Sequence, residues 1–526
     1  MVQNWIPIKR ALISTSDKSG LKEVATELHR RGTEIISSGG TGKYLESQGI
    51  PFVPIEKITG NPEAFQGRMK TLSFQVASAL LFRRDSEEDR KQAQELGIEP
   101  IDLVLCNLYP FDQVVRKKGT EEELIENIDI GGPTMIRAAA KNFASVCVCT
   151  HPSQYTLLIT LLQAHQGAID LETRKQLAKE AFRLTASYDA LIASQLECLW
   201  GEELPSIHLS PLHARILRYG ENPHQKGWVV ENPIYQGLAS VIPLQGKALS
   251  YNNFLDADIA LRCTRELLRL KQTAFPYAVS VIKHLNPCGS ALSNHPLKAL
   301  ELAWNGDPIS AFGSILGFGF EVDVECAKWL HERFVEIVLA PSFTPEAKEV
   351  FSHKKNLRLI EISLHQDFPE WVVRSISGGW VVQTPDIGTD TDFQLKTIHP
   401  FPQEHQSLAQ FGIIVGKYLR SNAILLVQET SEGMCVLGAG MGNPNRLISL
   451  KQAIEKAKEN GIQSLAKAVL ISDAFFPFPD NIKIADQAGI RFIVQPGGSV
   501  KDSEIIQACN ESGISMVFTG RRHFIH

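Results

Sequence analysis

Apolar positions in the first third of the chain switch between two periods. Lys9 to Ser14 is a short apolar run that predicts a strand, after which Leu21, Val24, Ala25 and Leu28 recur at helical spacing behind two capping candidates, Asp17 and Ser19. Gly32 closes that helix and Thr33–Ile36 reads as a second strand. Ser38-Gly39-Gly40-Thr41-Gly42 then predicts a tight turn ahead of a helix starting near Lys43. Further strands fall at Leu103–Cys106 and Val146–Cys149, and Glu172–Leu199 is a long helix with Leu177, Ala181, Leu184, Tyr188 and Leu191 on one face. Strands alternating with helices predict an α/β domain with a parallel sheet.

Gly201 to Pro211 (GEELPSIHLSP) has the Pro, Ser and charge mix of an exposed connection, which places a boundary near residue 200 and predicts domains 1–200 and 201–526. The second stretch, ~325 residues, exceeds what one core usually supports. Thr384–Gln403, rich in Asp, Thr and Pro, is where a division is expected. Beyond it the alternation resumes with strands at Ala468–Ile471, Phe492–Val494 and Ser515–Phe518 and helices near Asn481–Ala488 and Ser503–Ala508. No fixed-period repeat is visible.

Charge narrows the function classes. The 526 residues carry 53 Lys and Arg against 58 Asp and Glu, a net charge of −5, and the basic doublets lie far apart, so no stripe for tracking phosphates exists and nucleic acid is excluded as a partner. Apolar runs such as Ile424–Val427 fall far short of the ~18 residues of a membrane span, and the start MVQNWIPIKR lacks a signal peptide's apolar core, so a cytoplasmic location is expected. The nine Cys, an odd count in a chain large enough to bury a core, read as reduced thiols.

Several constellations carry candidate chemistry. Ser38-Gly39-Gly40-Thr41 puts glycines and hydroxyls where a strand turns into a helix, a place suited to phosphate, although Tyr44 after Lys43 rules out a Walker A motif. A plain glycine turn explains the same residues equally well. Ser14-Thr15-Ser16-Asp17-Lys18 ends the first strand, where open parallel sheets bind ligands; a helix cap is the simpler reading. Gly67-Arg68-Met69-Lys70-Thr71 groups two cations and a hydroxyl, and Asp129-Ile130-Gly131-Gly132 precedes Arg137 and Lys141 at helical spacing; solvated surface accounts for either alone. Lys283-His284 stands at the end of the apolar strand Ala278–Ile282 and can supply an oxyanion partner and a general acid–base. Pro287-Cys288 suggests a zinc deaminase, but Ala291 replaces the second Cys and no His-x-Glu precedes Pro287, so no catalytic metal is expected. Gly438-Ala439-Gly440-Met441-Gly442 lacks Rossmann spacing.

Taken together, the motifs resemble those of the bifunctional PurH family, which joins AICAR transformylase and IMP cyclohydrolase in one polypeptide. The resemblance rests on SDKSGL, SSGGT, GRMKTL, CNLYPF, IDIGG with RAAAKN, and AFRLTASYDALI, then on LRYGENPHQ, IKHLNPCG, DPISAFG, RSNA, SDAFFPF, QPGGS and TGRRHFIH, in the family's order to the last residue. It implies a methylglyoxal-synthase-like N-terminal domain followed by two zinc-free cytidine-deaminase-like α/β/α units. It also implies formyl transfer from the cosubstrate 10-formyltetrahydrofolate to AICAR, then closure of formyl-AICAR to IMP, in a homodimer with the transformylase site at the interface.

By the same resemblance Lys283, His284 and Asn422 are the transformylase catalytic residues, and Arg218, Gly313, Glu336, Arg446, Phe475, Arg522 and His526 touch nucleotide or folate. Lys70, Tyr109, Asp129 and Lys141 match the cyclohydrolase catalytic positions, with Ser14, Ser16, Lys18, Ser38, Gly39, Gly40, Thr41, Arg68, Thr71 and Asn107 around the substrate. Ser73 and Phe74 replace the His-Pro with which relatives usually continue this motif, and GAGMGNPNR is longer than the usual spacing before the arginine. Two alternatives stand beside this reading: a formyltransferase whose N-terminal domain binds nucleotide without closing the ring, and a zinc nucleoside deaminase.

Overall fold

The computed structural model describes residues 4–62, 64–65, 68–201, 214–232, 237–270, 274–365 and 371–526. The chain divides into two compact units, Met1–Ala214 with Asn232–Ile234 and Arg215–Glu231 with Tyr235–His526.

The first unit is built on five parallel strands in the spatial order Val53–Pro54, Glu34–Ser37, Arg10–Ser14, Leu103–Cys106, Cys147–Cys149. Both faces of the central strand are covered. Ala11 and Ile13 pack with Leu21, Val24 and Leu28, while Leu12 packs with Val104, Cys106 and Ile136 on the opposite side. This two-sided burial is why the strand reads as a continuous apolar run rather than an alternation. Cys147 and Cys149 lie on one face of their strand, in the same core as Ile13. All nine thiols are free, and all but Cys198 are buried.

Two local expectations change. Neither Asp17 nor Ser19 caps the first helix: Leu21–Arg30 starts behind Gly20 at φ 68°, and Asp17 Oδ1 instead accepts the Ser19 N–H at 2.9 Å, closing a turn one step earlier. The glycine turn is itself helical, since the second helix is Gly39–Ser47, with the Gly42 N–H bonded to Ser38 O at 3.2 Å. Thr41 causes the difference, because its hydroxyl exchanges two 3.0 Å hydrogen bonds with the Thr15 backbone on the neighbouring loop. The long helix Leu171–Trp200 ends at Gly201, φ 77°, beside the expected boundary. Residues 202–213, most of the proposed connection, lie outside the described residues.

The second unit holds one sheet of eleven strands among the described residues. In space they run Arg358–Glu361, Val335–Ala340, Ser314–Phe318, Tyr277–Lys283, Asn286–Ser293, then Gly433–Gly440, Ile424–Glu429, Val469–Ser472, Phe492–Gln495, Ser515–Phe518 and Gln394–Leu395. The first five and the next five repeat one plan: an antiparallel hairpin, then three strands, the outer two reached by parallel pairing. The halves join where Ala291–Ser293 pairs antiparallel with Gly433–Cys435. Thr384–Gln403 lies in sequence between the two sets of strands, yet they share one sheet.

The duplication has no visible sequence period because the shared plan requires only apolar residues of suitable volume at core positions. One trace survives in the glycines. A Cβ on Gly289 would sit 1.9 Å from the Ala303 carbonyl oxygen, and one on Gly440 would sit 1.9 Å from that of Ser449. Each half thus presses a helix directly onto its hairpin, which accounts for much of the Gly438–Gly442 cluster.

Candidate active sites

In the first unit the predicted residues gather at the carboxyl ends of the parallel strands, the edge at which open α/β sheets bind ligands. Ser14 ends the central strand and Ser38 follows its neighbour. Asn107, just beyond the third, clamps the loop between Ser14 and Lys18: its Oδ1 accepts the Ser16 and Asp17 N–H groups at 2.6 and 3.0 Å, and its Nδ2 donates to Asp17 O at 2.8 Å. Lys18 Nζ donates to Ser16 O at 3.3 Å. Ser38 occupies the N-cap position with its side chain unbonded to the helix, beside Gly39, Gly40 and Thr41. Backbone N–H groups at that end, with hydroxyls and a cation alongside, make a cradle of the chemistry that suits an anion.

Lys70 reaches this cradle. Its Nζ stands 3.2 Å from where a Cβ on Gly39 would lie, so a side chain there would crowd the ammonium. Thr71 Oγ1 similarly lies 2.7 Å from a Cβ position on Gly131. Asp129 follows in the same neighbourhood: its Oδ1 accepts the Gly132 N–H at 2.8 Å. Burial raises its pKa, and the backbone N–H groups of Gly132 and Tyr109 offset part of that. Tyr109 itself is exposed. Lys141 ends the helix Gly131–Lys141 and lines, with Thr71, Ser73, Arg137 and Phe182, a cleft of about 490 Å³. Arg68 is ion-paired with Glu126. Gly67 of the same motif lies outside the described residues.

Two further residues support this site. Tyr188 Oη accepts the Asp129 N–H at 2.8 Å and donates to Asn127 O at 3.2 Å, and burial pushes its phenol up to about 12, keeping the donor neutral. Its motif, AFRLTASYDALI, was legible, but its partner was not. Ser73 is the N-cap of the helix Phe74–Leu81, its hydroxyl accepting the Val76 N–H at 3.1 Å. Ser-Phe therefore opens this helix with a capping hydroxyl.

In the second unit one bonded network joins most of the predicted residues. Lys283 Nζ donates to the carbonyls of Phe312 and Gly313 at 2.9 and 3.0 Å, which holds the ammonium and leaves it a further N–H. Gly313 takes φ 70°, and a Cβ there would come within 3.1 Å of that nitrogen. His284 and Leu285 form the two-residue turn between Lys283 and Asn286, with φ of 51° and 63°. Turns of this kind favour Asn-Gly; side chains at both positions cost of order 1–3 kcal/mol each and concentrate at functional sites. His284 is exposed at this turn.

Asn286 ties the turn to the RSNA loop, donating to His284 O at 2.9 Å and accepting the Arg420 N–H at 3.0 Å. Asn422 Nδ2 donates to Asn443 O at 2.9 Å, and its Oδ1 accepts from Arg446 at 2.7 Å. Arg446 opens the helix Arg446–Glu459 and also bonds Asp473 Oδ1 at 2.8 Å and Phe475 O at 2.9 Å, with 8% of its surface exposed. Arg446, expected at the ligand, stands in the first turn of its helix and holds Asn422.

The C-terminal tail closes the same network. Ser421 donates to Ile525 O at 2.9 Å, and Arg420 bonds His526 O. Arg522 stacks over Phe524 at 5.0 Å, whose ring lies 5.4 Å from that of His526. Glu336 accepts from Asn253 at 2.9 Å and faces Arg358 at 3.6 Å. Arg218 donates to Tyr219 Oη at 2.8 Å.

His523, which the sequence reading passed over, anchors that tail. Its Nδ1 meets Asp386 at 2.7 Å and its Nε2 meets Asp390 at 3.1 Å. Burial opposes its charge, but the two carboxylates prevail and raise the pKa to about 9. Because the folded value exceeds the ordinary 6.5, the stabilisation is complete below about pH 6.5 and is lost as pH rises through about 9. The urea midpoint of the second unit should fall across that window, and His523→Leu should remove this part of the slope. A slope identical in the variant would show that His523 is not the group responsible.

Among the described residues, no group of three or more His, Cys, Asp and Glu is placed to hold a metal, and no helix is long and apolar enough to cross a membrane. Two family models and several full-length relatives match the chain. An MGS-like domain model matches residues 20–134, and the AICARFT/IMPCHase bienzyme model matches residues 139–456. The bifunctional purine biosynthesis protein PurH of Persephonella marina is 44% identical over 529 residues, covering 98% of this chain and 100% of its own. Those of Aquifex aeolicus and Anoxybacillus flavithermus are 42% and 43% identical, each covering 98% of this chain and 100% of their own length. With relatives matched end to end and a bienzyme model spanning more than half of the sequence, the chain belongs to the AICARFT/IMPCHase bienzyme family.

Proposed function

We propose that this chain catalyses the last two steps of IMP synthesis, formyl transfer in the second unit and ring closure in the first. The observation that carries the reading is the exposed His284 on a left-handed turn, next to a Lys283 ammonium fixed by two carbonyls.

In formyl transfer the 5-amino nitrogen of AICAR attacks the formyl carbon of 10-formyltetrahydrofolate. His284 takes the proton that the amine loses, the remaining N–H of Lys283 meets the oxygen that gains charge, and the carbon–nitrogen bond to tetrahydrofolate breaks as that nitrogen regains a proton. Asn422, fixed by Arg446 and Asn443, orients the carboxamide or the formyl group. Glu336 and Phe475 suit the folate ring, with Arg218, Gly313, Arg522 and His526 around the ligands. Arg446, which also holds Asn422, stands among these ligand contacts.

In ring closure the carboxamide nitrogen bonds the formyl carbon of the same molecule, and the formyl oxygen leaves as water after gaining two protons. Intramolecular attack makes positioning the larger part of the rate. The cradle of Ser14, Ser16, Lys18, Ser38, Gly39, Gly40, Thr41 and Asn107 holds phosphate and ribose, with Arg68 and Thr71 at the base. Lys70 and Lys141 polarise the formyl oxygen, and Asp129 with Tyr109 handles the protons.

The repeated five-strand halves of the second unit fit two cytidine-deaminase-like units without zinc, and a division near 384–403 fits their sequence order. A cytoplasmic homodimer completes the reading, with exposed Phe312, whose carbonyl holds Lys283, and its ring neighbour Phe334 suited to face a second copy. The test is chromatographic analysis of products from AICAR and 10-formyltetrahydrofolate: IMP is expected. Formyl-AICAR as the end product would leave the first unit as a binding module, and no formyl transfer would overturn the reading.

A further inference from the structure

The two left-handed residues at the tip of the Lys283–Asn286 hairpin need something to hold them, since a Leu and a His gain nothing intrinsically from φ values of 63° and 51°. The holding group is on another element. Asp256 sits in the helix Tyr251–Leu267, and its Oδ1 accepts the Leu285 N–H at 2.6 Å. Asn286 pins the other side of the turn through His284 O, so the Leu285 amide and the His284 carbonyl are both fixed.

The helix under Asp256 is itself anchored. Ser250 and Asn253 close a capping box at its start, and Asn253 continues to Glu336. Burial works against the charge of Asp256, raising its pKa, with the Leu285 N–H and the charges of His284 and Lys283 acting in the opposite sense. A partly buried carboxylate whose bonds go to one strained turn has little other structural use.

We propose that Asp256 is a positioning residue for formyl transfer, holding the His284-Leu285 turn left-handed and so aiming His284 at the reacting amine. The inference rests on the reading of His284 as the proton shuttle. A misplacement of about 1 Å at a reacting group costs on the order of 100-fold in rate, so the effect belongs in kcat.

The test uses the full chain with AICAR and 10-formyltetrahydrofolate and, in the same preparations, ring closure of supplied formyl-AICAR. Asp256→Ala should lower kcat for formyl transfer by about 10- to 100-fold, with KM for AICAR within about twofold and ring closure unchanged. Asp256→Asn keeps an acceptor oxygen and should lose less. Adding Leu285→Gly to Asp256→Ala, which removes the side chain from the φ 63° position, should recover part of the lost kcat. A kcat within twofold of wild type, a rise in KM alone, or no recovery with Leu285→Gly would overturn the proposal. Loss of both activities together would show a purely structural carboxylate and overturn it as well. A wild type that transfers no formyl would instead remove the parent reading.

Discussion

His284→Ala should lower formyl transfer by about 10²–10⁴-fold, the usual contribution of a positioned general acid–base, while the same protein closes supplied formyl-AICAR at the wild-type rate. The expectation comes from geometry. His284 is exposed on a turn held by Asp256 and Asn286, and its Lys283 neighbour is fixed to the carbonyls of Phe312 and Gly313. Removing the imidazole leaves that frame in place, and alanine keeps a Cβ, so the backbone preference at φ 51° changes little. The loss should therefore appear in kcat with little change in unfolding temperature. Activity within about threefold of wild type would mean that another group or solvent moves the proton, and the assignment would fall.

The second large effect belongs to the other unit. Lys70→Ala should slow enzymatic ring closure by about 10²–10³-fold, as for loss of one oxyanion partner, and the full reaction should accumulate formyl-AICAR above the level set by spontaneous closure. Lys70 Nζ lies beside Gly39 at the start of the second helix, and Thr71 lies beside Gly131, two residues from Asp129. Formyl transfer by the same variant should be unaffected. Equal closure rates in variant and wild type would assign the chemistry elsewhere, with Lys141 the next residue to replace.

Ser73 and Phe74 bear on this second expectation. In place of the usual His-Pro the chain puts Ser at the N-cap, with its hydroxyl on the Val76 N–H, and Phe74 at the first helical position, exposed. The helix therefore starts where a His-Pro pair would start one, with Pro suited to that first position. The changed residues serve the helix start, while Lys70 and Thr71 reach the glycines that line the site.

The parts legible in the sequence were those carried by local chemistry. Period and run length placed the strands at Leu103–Cys106 and Ser515–Phe518 to the residue, and the long helix to within a residue at each end. The motifs carried the family, because its residues stand in short contiguous stretches that a reading of neighbours can find. The helix start at Gly39 went differently, since Thr41 bonds the Thr15 backbone on a neighbouring loop and no local rule sees that partner, while Asp17 spends its carboxylate on the Ser19 N–H and leaves Gly20 before the first helix.

What the sequence determined by itself is therefore the α/β class, the order of the elements and the identity of the chemical groups, all set by neighbours within a few residues. Only the tertiary structure decided that ten strands on either side of Thr384–Gln403 repeat one plan in a shared sheet, because packing constrains shape and volume and leaves the residues free to differ. It also decided what each group is bonded to. Tyr188 under Asp129, Arg446 on Asn422, His523 between Asp386 and Asp390, and Asp256 under the His284 turn join residues 24 to 137 positions apart. A side chain's role depends on the field and hydrogen bonds around it, and folding supplies those from distant parts of the chain.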